Sequence, residues 1–229
     1  MNSRNSFSDT PPIVLNLIII NALVYFAQTA FGGMNDANKV NDLFALHHIY
    51  SPLFKPYQLI THMFMHGGFF HLLLNMFGLW MFGSMMERMW GPQRFLAFFL
   101  ICGIAAGFAQ LGSYVHDYWA FDHIILSAEE QPMYTEILRR NATVGASGAI
   151  MGVLAAYGYT FPNTQLFIFP IPFPIKTKWA IIGILAFDIF SGIANAASDN
   201  VAHFAHVGGA IVGFLIVLYW NKTDKKNFY

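Results

Sequence analysis

The sequence predicts an all-α membrane protein, a bundle of six transmembrane helices, and three observations lead there. Of 229 residues, 56% are hydrophobic and only 10% are charged, against roughly 25% charged in a soluble domain. Asp, Glu, Lys and Arg are absent from 10–35, 56–86, 95–116, 141–175 and 200–221. Each such window holds most or all of the roughly 20 apolar residues needed to cross about 30 Å of hydrocarbon. No barrel-like alternation runs through them, and lipid offers a bare backbone no hydrogen-bond partner, so the spans are helices. A net charge of zero gives no basic surface for nucleic acid. The single cysteine, Cys102, rules out a disulfide within the chain and reads as core filler.

The elements follow in order. A short tail, 1–11, precedes the first span at 12–31. Its "IVLNLIII" and "AQTA" have the look of a signal peptide, but only Arg4 supplies a basic start and the apolar run outlasts the usual core of a leader, so a retained helix is expected. A long connection, 32–68, rich in His, Gly and aromatics, leads to spans at 69–86 and 94–113. A second long connection, 114–146, carries Glu129, Glu130, Arg139 and Arg140 before the fourth span at 147–162. In "FPNTQLFIFPIPFPIK" four prolines among aromatics prevent a helix and predict a segment at the membrane interface. The fifth span, 179–197, holds one charge, Asp188, and the sixth, 202–220, leads into the tail 221–229. The membrane domain is therefore 12–220.

Six crossings put both termini on one side, with Arg4, Arg88, Arg94, Lys176, Lys178, Lys222, Lys225 and Lys226. Lys39, Lys55, Arg139 and Arg140 fall on the other. By the positive-inside rule the termini and both tails are expected in the cytoplasm, the protein being integral to the cell (inner) membrane.

The chemistry starts at "NATVGASGAIMGVLAAYG", where Ser147 stands between Gly145 and Gly148 as the fourth span begins. Gly148, Gly152 and Ala156 also make a small-residue packing face, and serine is a common member of such faces. A catalytic role needs a base, and "NVAHFAHVGGAIVGF" offers one. Ala205, Gly209 and Gly213 form a second small-residue face there, so two glycine faces in contact would set Ser147 and His206 at similar depth. His203 is a rival nearer the helix start. In "HMFMHGGFFHLLLNMFG", His71 and Asn75 lie four apart on one face, as convergent donors to an oxyanion would. His62, His66 and His71 also suit a metal, although no HExxH, carboxylate or cysteine accompanies them. Asp188 reads either as a functional intramembrane carboxylate or as a partner of Ser191 and Asn195.

"HGGFFHLLLN", "ERMWGPQRF", "GASG" and "AHVGGAIVG", in that order and on those spans, resemble the rhomboid intramembrane serine proteases across the whole six-helix core. The resemblance implies a Ser-His dyad without the Asp of a triad, cleaving membrane proteins within or beside their spans. Ser147 matches the nucleophile and His206 the general base. His71, Asn75 and the Ser147 N–H match the oxyanion donors, and His66 and Gly145 match positions shaping the wet cavity and the GxSG turn. Glu87 matches a structural carboxylate on the cytoplasmic side, with Arg88 as an alternative ion-pair partner. Three features depart from the pattern: Tyr57 and Gln58 replace a Trp-Arg pair, Met151 stands where some members stack an aromatic on the histidine, and the 114–146 connection is long.

The expected function is thus an intramembrane serine endopeptidase with no cofactor and no metal, whose partners are single-span membrane substrates and the lipid bilayer, with no nucleic acid and an oligomeric state the sequence leaves open. The alternatives are a catalytically inactive rhomboid-like binding protein and a histidine-rich metal transporter or metalloenzyme.

Overall fold

The computed structural model describes residues 10–31, 39–122, 138, 141–167, 172–194 and 201–223. Helix α1 (Pro12–Phe31) buries Val14, Leu17, Asn21 and Gln28, which share one helical face. Ile19, Ile20, Leu23 and Phe26 stay exposed. The same division recurs on other helices, with Phe70, Leu74, Phe108, Phe190, Ile193 and Leu215 exposed. In water so wide an apolar surface would aggregate; against lipid chains it is matched.

The elements after α1 are α2 (Lys39–Phe44), β1 (Leu46–His47), α3 (Gln58–Thr61) and a 3-10 turn (His62–Phe64). Then α4 (Phe69–Gly78), a π-helical turn (Leu79–Gly83) and α5 (Ser84–Trp90) form one rod, followed by α6 (Pro92–Asp122). Strand β2 (Ala142–Thr143), α7 (Ser147–Thr160), β3 (Gln165–Leu166), β4 (Ile175–Lys176), α8 (Thr177–Ala194) and α9 (His203–Thr223) complete the order. The fold is a helical bundle carrying two very short antiparallel strand pairs, β1 with β2 and β3 with β4.

Among the described residues, five helices are long and apolar enough to cross a membrane: α1, the rod Phe69–Trp90, Pro92–His116 within α6, α8 and α9. The remaining expected span, the fourth, is α7; it has 14 residues, about 21 Å at 1.5 Å per residue, and is shorter than a hydrocarbon layer. Every residue of it from Gly148 to Gly158 is buried, so the other helices enclose it and it needs no lipid-matching length.

Several sequence boundaries are corrected. The 114–146 connection begins as helix, because α6 runs on to Asp122; Asp117 ends the charge-free window, yet residues 114–122 contain no Gly or Pro to stop a helix. The second span reaches Trp90 rather than 86, ending at Gly91 with φ +79°. The fifth begins at Thr177 rather than 179 and is described to Ala194, with 195–197 outside the described residues, and the helix of the sixth runs to Thr223. The described residues of the proline-rich stretch, 161–167 and 172–176, are non-helical as expected, and Gln165–Leu166 pairs with Ile175–Lys176 as β3 and β4. Glu129, Glu130, Arg139, Arg140, Asn195 and most of both tails lie outside the described residues.

The core centres on Leu79, Met86, Phe95, Phe98, Phe99 and Val153, all essentially buried. Helix α7 meets α9 through glycine. A Cβ built on Gly209 would overlap the carbonyl of Gly148, and one on Gly213 would stand 2.6 Å from Gly152 Cα. Cys102 fills the flank of the same seam, 2.6 Å from a Cβ built on Gly152.

Two ends of the bundle can be told apart. At one, Glu87 Oε1 and Oε2 accept the N–H groups of Ile13 and Val14 at 2.9 and 2.8 Å, and Trp90 meets Trp220 edge to face at 5.2 Å. Helix α1 begins there and α9 ends there. At the other end lie α2, β1–β2 and the start of α7.

Candidate active site

The segment leading into α7 is tied down on three sides. Thr143 pairs with Leu46 across β1–β2, and its Oγ1 lies 2.7 Å from the Tyr114 hydroxyl on α6. The Gly145 N–H donates to the His62 carbonyl at 2.9 Å. Gly145 has φ +132°, a conformation that disfavours any side chain. A Cβ there would also stand 2.9 Å from His71 Nε2. Glycine at 145 is thus required twice, by backbone and by space. Ser147 follows as the first residue of α7, where helix N–H groups lack internal acceptors and the dipole favours negative charge.

His206 lies across the glycine seam, with Nε2 2.8 Å from Ser147 Oγ. Both residues are only partly buried. The expectation that two glycine faces bring this serine and this histidine to one depth therefore matches the geometry. His203, the rival, opens α9 and is buried; its Nδ1 is 2.7 Å from Asp188 Oδ1. The Nδ1 of His206 is 3.1 Å from that same oxygen. The described hydrogen bonds of Asp188 run to α9 rather than to Ser191 on its own helix, and Asn195 lies outside the described residues. Sequence reasoning singled out the mid-span carboxylate but missed this link. Only the crossing of α8 and α9 creates it.

His71 on α4 faces the turn. Its Nδ1 accepts the Gly67 N–H at 3.3 Å; a backbone N–H only donates, so a neutral His71 carries its proton on Nε2, the nitrogen beside Gly145. Asn75 is buried, and its Nδ2 donates to the His71 carbonyl at 2.8 Å, leaving one amide hydrogen. His66 packs edge-on to His71 with ring centroids 5.2 Å apart, and neither of its buried ring nitrogens has a partner among the described residues. Its backbone is held by Gln28, which accepts from the His66 N–H at 2.9 Å and donates to its carbonyl at 3.1 Å. Burial lowers the His66 pKa to about 4.

His62 stands apart from this group. Its Nδ1 donates to the Gln58 carbonyl at 2.8 Å, and burial holds its pKa down to about 4. Its backbone carbonyl, not its ring, serves the site. Among the described residues, His62 and His66 join no cluster of three potential metal ligands; the one such cluster is Asp188, His203 and His206. There both Nδ1 atoms already face the carboxylate oxygen.

Gln58, which departs from the family pattern, is fully buried and acts as a knot for the preceding loop. Its Oε1 accepts from Lys55 and His47 N–H groups at 3.1 and 3.3 Å, and its Nε2 donates to the Leu53 and Leu43 carbonyls at 2.9 and 3.2 Å. Met151 is buried within the core.

Comparison with known proteins agrees with this arrangement in family. The Rhomboid domain family model matches residues 54–222. The chain is 29% identical over 211 residues to the rhomboid protease AarA of Providencia stuartii, covering 89% of this chain and 70% of that protein. It is 30% identical over 233 residues to the mitochondrial presenilin-associated rhomboid-like protein of Mus musculus, covering 97% of this chain and 52% of that one. It is 28% identical over 169 residues to the mitochondrial rhomboid protein 1 of Saccharomyces cerevisiae, covering 74% and 43%. The chain thus spans about half the length of its mitochondrial relatives. With its helical bundle and a family match over most of its length, the chain belongs to the rhomboid family.

Proposed function

We propose that this rhomboid is an intramembrane serine endopeptidase, with Ser147 as nucleophile and His206 as general base. The 2.8 Å contact between His206 Nε2 and Ser147 Oγ carries this reading. Serine is a weak nucleophile until a base takes its proton during attack. Ser147 Oγ adds to a peptide carbonyl carbon while its proton passes to His206 Nε2. His206 then gives that proton to the departing amine, leaving an acyl-serine. In the second half a water loses its proton to His206, its oxygen adds to the acyl carbon, and Ser147 recovers the proton as the acid product leaves.

The oxyanion formed in both halves is met by the Ser147 N–H, the Nε2–H of His71 and the free amide hydrogen of Asn75. His66 and Gly145 shape the cavity around them. Because α7 is short and enclosed, the serine lies near one end of the bundle, within reach of water. A substrate helix must unwind to enter. The partners are therefore single-span membrane proteins with helix-weakening Gly, Pro or Ser near the cut.

Both described ends of the chain lie at the Glu87 end, opposite Ser147, and the basic residues favour that end as cytoplasmic. Several relatives are named mitochondrial, so the comparisons do not support the expected cell inner membrane.

The test is single-turnover cleavage of a model membrane substrate in detergent, with EDTA as a separate arm. Ser147→Ala is expected to abolish cleavage and EDTA to leave it unchanged. Retained cleavage in Ser147→Ala, or loss with EDTA, would replace the serine mechanism with the metal reading.

A further inference from the structure

We infer that Asp188 is a positioning residue for His206, making the catalytic group a chain of four side chains, Ser147, His206, Asp188 and His203, drawn from three helices. The inference rests on the protease reading above and adds to the dyad that the family resemblance implies.

A carboxylate in the middle of an apolar span is costly unless its charge is used or satisfied. Asp188 is 4% exposed, and its Oδ2 has no hydrogen-bond partner among the described residues. All its described hydrogen bonding passes through Oδ1, which faces two imidazole nitrogens, His203 Nδ1 at 2.7 Å and His206 Nδ1 at 3.1 Å. An ionised carboxylate only accepts, so both Nδ1 atoms carry protons. For a neutral His206 this settles the tautomer: Nε2 has the lone pair, and Nε2 is the atom 2.8 Å from Ser147 Oγ. The carboxylate thus fixes which nitrogen acts as base and holds the ring toward the serine. It also stands ready to stabilise the imidazolium formed when the proton arrives.

His203 performs a separate task. Its contact is the shorter one and its ring meets that of His206 edge-on, centroids 6.4 Å apart. It steadies the carboxylate without touching Ser147. A bland helix-to-helix hydrogen bond between Asp188 and His203 would need no second ring on the same oxygen; the added contact of His206 is the feature that reading leaves unexplained. Among the described residues, His71 from α4 also faces His206.

Two measurements test this. The first is read on the unmodified chain: nitrogen-15 spectra of histidine-labelled protein in detergent, with the His206 signals assigned by comparison with His206→Gln. Protonation of neutral His206 at Nδ1 is expected; a predominant Nε2–H form would overturn the inference. The second is single-turnover kinetics. Asp188→Asn is expected to lower the rate of the chemical step by about 10² to 10⁴ with little change in KM, since exchanging such a carboxylate for an amide costs up to about 10⁴. His203→Gln should lose far less, about tenfold or under. An Asp188→Asn rate equal to the unmodified chain, or a His203→Gln loss matching that of Asp188→Asn, would overturn it. Ser147→Ala in the same assay separates the two levels: cleavage that survives it sinks the protease reading, whereas Ser147-dependent cleavage indifferent to Asp188→Asn sinks only this one.

Discussion

Two buried carboxylates, Glu87 near one end of the bundle and Asp188 within the fifth span, solve the same problem in opposite ways. Glu87 gives one oxygen to each of the first free N–H groups of α1. Those groups have no partner within their helix, and the negative charge sits at the positive end of the dipole. Nothing in that arrangement is left to react. Asp188 gives one oxygen to two side chains on α9, and its other oxygen has no partner among the described residues. The neighbourhoods differ in kind: the Glu87 end closes with the aromatic rings of Trp90, Phe98 and Trp220, while the Ser147 end gathers the imidazoles of His66 and His71. Glu87 is engaged by backbone, whereas Asp188 is engaged by two side chains.

Substitutions sharpen this contrast, from the largest effect to the smallest. His206→Ala should come close to abolishing cleavage in the single-turnover assay, because the nucleophile loses its base. His71→Ala should slow it by about 10² to 10³, the usual effect of one lost oxyanion donor. The double change His71→Ala with Asn75→Ala should fall short of the product of the singles, because both act on one charge. Glu87→Ala should behave in the reverse manner, lowering thermal stability in detergent by about 1 to 3 kcal/mol through two stranded N–H groups while the rate per folded molecule stays near that of the unmodified chain. A large rate defect in folded Glu87→Ala would break the comparison.

A smaller effect concerns pH. His62 and His66 are held to about 4 by burial, below the ordinary 6.5. Between those values the unfolded chain binds more protons than the folded one, so the protein gains stability as pH rises. That contribution is complete above about 6.5 and is lost as pH falls toward about 4. The unfolding midpoint should drop between about pH 7 and pH 5, and His62→Gln should flatten part of the drop. His62→Gln with an unchanged slope would show that its ring does not titrate in this window.

The sequence made the bundle legible because charge-free windows and membrane thickness are the same physical fact seen twice. Helix α1 is the clearest case, 12–31 in both. Where a helix outlives its membrane segment, as α6 does to Asp122, a charge-based boundary stops too early. Where a helix is enclosed by others, as α7 is, composition cannot announce its shortness. The Ser147–His206 pairing was readable because both residues sit on glycine faces whose only use is close contact. The role of Gln58 was hidden, since its four main partners are backbone groups brought to it by loop folding. Asp188 was half legible: its cost in the membrane signalled a purpose, but its partners depend on how α8 crosses α9.

The claim that Ser147 is an activated nucleophile is tested most directly by labelling with a fluorophosphonate, followed by mass analysis of the modified peptide. The expected result is a single adduct on Ser147 in the folded chain, absent in Ser147→Ala and strongly slowed in His206→Ala. No adduct on folded protein, or equal labelling after Ser147→Ala, would contradict it.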